Sequence, residues 1–275
     1  MGKGNAGEMA LLTLLTDFGT RDSYVAVMKG TIAQIDPTLQ VIDLTHEIAP
    51  QDIASARFCL SSAYPYFPVG TVHIGVVDPG VGSRRRAIAL QLENGFLVGP
   101  DNGLFSGVLE QFPVLAAVEL TDPAYWRSAQ TSATFHGRDI FAPVGAHLAR
   151  GVPFAAVGTA IDPASLTPLP LPAVRRTDRS WVGCIQAIDR FGNLITNIPG
   201  DGLPSIWSVA IDSGAIDPVT IPGVSTYADA AIGTLLALVG SHGWVEIAVN
   251  CGNAQAQLNL AIGHSVTVQS DMLDA

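Results

Sequence analysis

The sequence predicts an α/β protein: an N-terminal α/β sandwich-type domain on a mostly parallel sheet, followed by a small C-terminal antiparallel β-barrel. Three observations predict it. Short apolar runs alternate with helical patterns up to about residue 150, the order that gives a sheet covered by helices. Asp162 to Pro172 then carries Pro163, Pro168, Pro170 and Pro172, and a proline-dense stretch is extended and semi-rigid. Beyond it, apolar β runs separated by Gly, Pro and Asn turns take over, as in small all-β domains. Domains are accordingly expected at 9–162 and 175–275, with 163–174 as a linker.

Each element has its own reason. Leu11 to Thr16 reads as a buried strand and Ser23 to about Gln34 as the helix after it. Val41 to Leu44 is a second strand and Gln51 to Ala63 a second helix. Thr71 to Val77 is continuously apolar in character, as suits a parallel strand covered on both faces. Ala87 to Leu92 and Phe96 to Gly99 form a hairpin about Asn94-Gly95, the favoured two-residue turn. A helix near Leu104 to Gln111, a strand at Val114 to Leu120 and a helix at Asp139 to Arg150 complete the first half. In the second half, strands are expected at Trp181 to Ile188, Ile206 to Ile211, Thr234 to Val239, Trp244 to Val249 and Ser265 to Gln269, with one short helix at Ala254 to Ala261.

Composition excludes several classes of function. The 275 residues are 48% apolar, with a net charge of −10 and only two lysines, Lys3 and Lys29. Nucleic acid and anionic membranes need a basic surface, so neither is expected as a partner. No apolar run approaches the length that spans a bilayer, and Met1 to Glu8 lacks the apolar region of a signal peptide. Cys59, Cys184 and Cys251 lie far apart and the six histidines form no pair at metal-ligand spacing. No metal site is expected, and reduced cysteines point to the cytoplasm.

Polar clusters recur at strand ends. The apolar run to Val77 stops at Asp78, turns through Pro79, Gly80 and Gly82, and lands on Arg84-Arg85-Arg86. Ligands of open α/β sheets bind at such strand ends. Thr16-Asp17-Phe18-Gly19 closes the first strand, with Asp22 shortly after; Gly99-Pro100-Asp101-Asn102-Gly103 ends the hairpin; Phe135-His136-Gly137-Arg138-Asp139 opens a helix. The second half adds Asp189 to Asn197 and Gly240 to Ala248. Asp17-Phe18-Gly19 and His136 to Asp139 look like two kinase motifs, yet their order is reversed and no Gly-rich loop or partner lysine exists. Neither a dinucleotide nor a Walker-type phosphate fingerprint occurs. Taken singly, Asp78 suits a turn cap, Arg85 is interchangeable with Arg84 or Arg86, and His136 suits a core or capping role. Asn102, Asn193 and Asn253 also suit plain turns, and Asp17 or Asp22 could cap the first helix.

Taken together, the segments TDFG, VVDPGVGS-R, GPDNG, FHGRDIFAP, FGNLITN and S-x-G-x-x-EIA resemble the S-adenosylmethionine hydroxide adenosyltransferases (SAM hydrolases), relatives of the SAM-dependent fluorinase and chlorinase. The resemblance runs from about Leu11 to Gln269. It implies an α/β domain, a C-terminal barrel and a homotrimer whose ligand lies between one subunit's first domain and a neighbour's second. It implies attack of water or hydroxide on C5′ of S-adenosylmethionine, giving adenosine and L-methionine, with no cofactor. The water-handling trio it implies is Asp78, Arg85 and His136, with Asp78 and His136 accepting hydrogen bonds from the water. Asp17 would take the ribose hydroxyls. Asp22, Asp189, Ser241 and His242 are candidates for the methionine end, and His242 stands where relatives often carry a cation. Asn193 with Phe191 suits adenine, while Glu246, Asn102, Asn253 and Ala254 complete the candidate substrate-binding set. The alternatives are a SAM-dependent halogenase and a non-catalytic adenosyl-ligand-binding protein.

Overall fold

The computed structural model describes residues 11–211 and 219–270. The chain divides into two compact units, the first ending at Pro170 and the second starting at Leu171. In the first unit, β1 (Leu11–Thr16), α1 (Tyr24–Ile35), β2 (Gln40–Thr45), α2 (Ile53–Ala63) and β3 (Thr71–Val76) alternate as expected. They are followed by β4 (Ala87–Leu92), β5 (Gly95–Pro100), α3 (Ser106–Leu109), β6 (Val114–Glu119), α4 (Ala142–Ala149) and β7 (Thr159–Ala160). A π-helical turn, Gly137–Phe141, leads into α4.

The seven strands lie in the order β2-β1-β3-β5-β4-β6-β7. The β2-β1-β3-β5 half is parallel, while the β5-β4, β4-β6 and β6-β7 pairings are antiparallel. The sheet is therefore mixed, because the hairpin reverses the chain. Its turn is Glu93-Asn94 rather than Asn94-Gly95, since Gly95 already pairs with Leu92. A Cβ on Gly95 would come within 2.3 Å of the Thr71 carbonyl oxygen, so only glycine lets β5 run so close to β3.

All six residues of β3 are buried, because helices cover both faces of the sheet. Leu12, Leu14, Ile74 and Val76 pack with Met28 and Ile32 of α1 and Val144 of α4. Leu15 and Val77 pack on the other face with Ala56 and Leu60 of α2 and Val108 of α3. One polar pair crosses that core: Thr13 Oγ1 and His73 Nδ1 are 2.8 Å apart. The Tyr64 and Phe67 rings flank His73, and burial pushes its pKa down to about 4.

The second unit comprises β8 (Arg175–Arg176), β9 (Ser180–Ile188), β10 (Leu194–Pro199), β11 (Trp207–Ile211), β12 (Val219–Pro222), β13 (Leu235–Val239), β14 (Trp244–Val249), α5 (Ala254–Leu258) and β15 (Ser265–Ser270). The order β12-β11-β15-β9-β10-β14-β13 is antiparallel throughout. Past the end of β12, Val224 N donates to Ala237 O of β13 at 2.8 Å, so the sheet curls almost closed around Ile185, Val209, Ile247 and Val268. β10 was not expected, because Thr196-Asn197 sits in a polar, loop-like cluster. It is nonetheless buried, because Asn197 accepts from Cys184 N at 2.8 Å and donates to Pro172 O at 2.7 Å. Satisfied in this way, an amide is tolerated in a core.

Candidate active site

The strand order fixes where the site falls. From β1 the chain moves outward to β2, then crosses back to β3 on the other side of β1. Such a reversal leaves a crevice at the carboxyl ends of the two strands, where open sheets bind ligands. Thr16 of β1 pairs with Val76 of β3, so Asp17 and Asp78 leave neighbouring strands one and two residues beyond the same rung.

The loop after β3 doubles back through hydrogen bonds from Val81 N to Asp78 O and from Ser83 N to Gly80 O. Gly82 takes φ +76°, and a Cβ there would sit 2.4 Å from the Ala133 carbonyl oxygen. Glycine thus lets this loop press against the segment that carries His136. The result is direct contact within the trio. Arg85 Nε donates to both Asp78 oxygens, at 2.9 and 3.0 Å, and its Nη2 pairs closely with Oδ2. The same Nη2 donates to His136 Nδ1 at 2.8 Å. The Asp78 and Arg85 side chains are only 5% and 9% exposed, and the guanidinium lies 5.2 Å from the Phe141 ring centre. Arg84 is exposed and Arg86 turns away to Asp101 and Ser165, so of the three arginines it is Arg85 that meets Asp78 and His136.

The Arg85–His136 bond also fixes the imidazole. Arginine is always a donor, so Nδ1 holds the lone pair and the neutral ring carries its proton on Nε2. Burial, reinforced by the Arg85 charge and opposed by Asp78 and Asp139, lowers the His136 pKa. The ring is therefore a neutral donor at Nε2, which reverses the accepting role expected for it and leaves Asp78 as the acceptor of the trio.

Asp78 and His136 line a cavity of about 620 Å³ together with Asp17, within the range of small-molecule sites. Phe18, Tyr24 and Phe135 line it as well, and their ring centres lie 5.2–5.8 Å apart. Among the described residues, no lysine or arginine lines this cavity. Two carboxylates and three aromatic rings favour a cationic ligand. Arg85 stands behind the lining, holding the two groups that reach it. Gln51 also lines the cavity. Its backbone N–H donates to Asp17 Oδ2 at 2.8 Å, from a left-handed φ of +69°. That conformation costs a non-glycine residue roughly 1–2 kcal/mol.

The other expected residues divide into groups. Asp22 is exposed, and neither it nor Asp17 caps α1, whose N-cap is Ser23 without a side-chain bond. Asn102 donates to Val77 O at 2.8 Å and accepts from Leu104 N at 3.2 Å, so its amide braces the strand end beside Asp78. In the second unit, Asp189 accepts from Phe191 N, Asn193 N and Asn193 Nδ2. Asn253 caps α5 by accepting from Ala256 N at 2.7 Å, ahead of the buried Ala254. A Cβ on Gly192 would sit 2.2 Å from the Asn253 side chain, so these two turns pack against each other. Phe191 alone stands out, 73% exposed.

Glu246 is 4% exposed, and it accepts from Tyr227 Oη at 2.6 Å and from His242 Nε2 at 3.2 Å. His242 Nδ1 accepts from Trp244 N. Its ring thus bridges a buried carboxylate and the backbone of its own turn. Ser241, beside it, is exposed. Burial, with the Glu246 bond and the Glu246 and Asp189 charges, raises the Tyr227 pKa. No motif marks Tyr227 or Gln51. Phe18 and Phe135 could have been found as neighbours of Asp17 and His136. Among the described residues no group of three His, Cys, Asp or Glu could hold a metal, and no helix is long and apolar enough to cross a membrane.

An α/β unit with a half-buried Asp–Arg–His set at a strand-end crevice, joined to an antiparallel barrel, fits the class of small-molecule enzymes. The particular family follows from comparison. Residues 12–158 match the SAM hydroxide adenosyltransferase N-terminal domain and residues 183–267 the C-terminal domain, and the chain belongs to that family. It is 42% identical to the (R)-S-adenosyl-L-methionine hydrolase of Salinispora tropica, over 94% of this chain and 97% of the relative. A fluorinase from an Actinoplanes species is more distant, at 28% identity over 94% of this chain and 97% of its own. A crystal structure of a conserved protein from Thermotoga maritima superposes with a TM-score of 0.87 at 33% identity, covering 94% of this chain and 99% of the other.

Proposed function

We propose that this protein hydrolyses S-adenosyl-L-methionine to adenosine and L-methionine, with Asp78, Arg85 and His136 holding the attacking water. The observation that carries the proposal is the convergence of these side chains, from positions up to 58 residues apart in sequence, with Asp78 and His136 lining one cavity and Arg85 bonded to both. The water oxygen bonds to C5′ as the C5′–S bond breaks. The bond's electron pair stays on sulfur, so the sulfonium becomes the neutral thioether of methionine. No acid is needed for that leaving group.

The difficulty is the nucleophile, which must be aligned opposite sulfur. Asp78 accepts one water proton, and His136 Nε2–H orients the water and steadies hydroxide character. Arg85 holds both groups and keeps Asp78 from swinging away. Base assistance of this kind is worth ~10²–10⁴-fold. Asp17, fixed by Gln51, suits the ribose hydroxyls. The acidic, aromatic-lined cavity suits a cation whose charge disperses in the transition state.

The proposal includes a cytoplasmic homotrimer in which a neighbouring copy's second unit, through Phe191 and Asn193, completes the contacts to adenine. Cys59, Cys184 and Cys251, held as thiols, support the compartment, and the exposed Phe191 ring supports the contact. The test is incubation with S-adenosylmethionine followed by chromatography. Adenosine and methionine in equal amounts are expected. A 5′-halo-5′-deoxyadenosine in the presence of chloride or fluoride would instead make the protein a halogenase. Tight binding without turnover would make it a sensor.

A further inference from the structure

Thr134, Phe135, His136 and Gly137 are four consecutive residues lining the cavity. They are bracketed by Ser132 and Arg138, and both brackets bond the same carboxylate, Asp139. Asp139 Oδ2 accepts from Ser132 N at 2.7 Å and from Arg138 Nη2 at 2.8 Å; Oδ1 accepts from Arg138 Nε and Arg127 Nε, each at 2.7 Å. Its backbone completes the knot, since Arg127 N donates to Asp139 O and Asp139 N to Phe135 O. The Asp139 side chain is 1% exposed. Burial pushes its pKa up, but the bonds from Arg138, Arg127 and Ser132 outweigh that and hold it well below the usual carboxylate range. Arg138, so anchored, lies with its guanidinium 5.2 Å from the Phe135 ring centre.

A buried carboxylate paired with partly exposed arginines is a poor device for stability alone, because desolvation of the carboxylate offsets much of the attraction. It is a good device for fixing one geometry among several. We propose that Asp139 is a positioning residue for the reaction: by tying Ser132, Arg138 and Arg127 together it holds the 134–137 segment so that His136 meets Arg85 and faces the cavity. The kinetic part of this inference rests on S-adenosylmethionine being the substrate; the geometric part does not.

The test uses the full chain carrying Asp139→Asn, which keeps the shape and removes the charge. Two readouts are taken: steady-state hydrolysis of S-adenosylmethionine, and the ring nitrogen signals of His136 in histidine-labelled protein. The expected result is a fall in kcat of about 10–100-fold, the scale of a misplaced catalytic group, with KM within about twofold. The His136 signals should shift from a single Nε2-protonated form toward mixed tautomers. In a folded variant, an unchanged kcat, a rise in KM with kcat kept, or unchanged His136 signals overturns the inference. If Asp139→Asn does not fold, Arg127→Gln and Arg138→Gln, which each remove one arm, are read by the same criteria. If the unsubstituted protein releases no adenosine, the substrate reading fails by itself and the His136 signals alone decide.

Discussion

The two units use similar polar sequences in opposite ways. In the first, Asp78, Arg85 and His136 are drawn from separate loops, bond one another across long sequence gaps, and present two of their number to a cavity. In the second, Asp189 folds back on Phe191 and Asn193, Asn253 caps its own helix, and His242 and Glu246 satisfy each other four residues apart. The first arrangement needs a sheet and two loops to exist before the groups can meet. The second is local, and each group has a partner before any ligand arrives. Polar residues at strand ends therefore divide into those that meet across long sequence gaps and those bonded within their own turn, here beside the exposed Phe191.

Substitutions should separate the two kinds. The largest effect is expected at Asp78→Asn, where the rate of hydrolysis should fall ~10²–10⁴-fold while substrate affinity, read by calorimetry, stays within a few-fold. An equal loss of affinity would mean that Asp78 shapes the pocket and the contrast between the units is false. His136 sharpens this further. Its lowered pKa keeps the ring neutral below the ordinary histidine range, so kcat should hold as pH falls through 6.5 and decline only beneath it. A decline centred at or above 6.5 would deny the half-buried, Arg85-bound state.

The buried histidine of the same unit provides the next contrast, since it acts on stability rather than rate. The folded-state pKa of His73, about 4, lies below its unfolded value of 6.5. The unfolded chain binds the proton first, so stability is full above pH 6.5 and lost as pH falls toward 4. Over that window the loss is about 3 kcal/mol. Denaturant unfolding as a function of pH should show it, and His73→Gln should flatten that part of the profile.

In the second unit effects should be on folding. Asp189→Ala removes three hydrogen bonds from one turn and should cost about 1–3 kcal/mol of stability, with kcat of the folded enzyme nearly unchanged. The smallest effect is expected at Asn253→Ala, where loss of the α5 cap costs about 1 kcal/mol, read as a lowered thermal midpoint. A larger effect of either on kcat than on stability would place these side chains on the substrate.

Most of the architecture was legible because β1 and β3 are short runs buried along nearly their whole length, separated by helical patterns. β10 was hidden, since Thr196 and Asn197 look like loop residues until Cys184 N and Pro172 O appear as partners. The antiparallel half of the first sheet was hidden for a different reason: pairing order beyond a hairpin depends on contacts far apart in sequence. Asp78, Arg85 and His136 could be picked out through their motifs, but which of three arginines turns inward depended on the Gly82 contact with Ala133. The protonated nitrogen of His136 depended on Arg85, and no local pattern reports either. The hydrogen bonds of Asp189 and Asn253 within their own turns were open to sequence reading as turn roles, because turn residues and binding residues are the same types.

Hydrolysis in water enriched in ¹⁸O tests the central mechanism most directly, because it follows the oxygen that Asp78, Arg85 and His136 are argued to hold. The account predicts one labelled oxygen, at the 5′-hydroxyl of adenosine, with none entering methionine, and loss of that labelled product in Asp78→Asn. Unlabelled adenosine, or labelled adenosine formed equally fast without the Asp78 carboxylate, would contradict it.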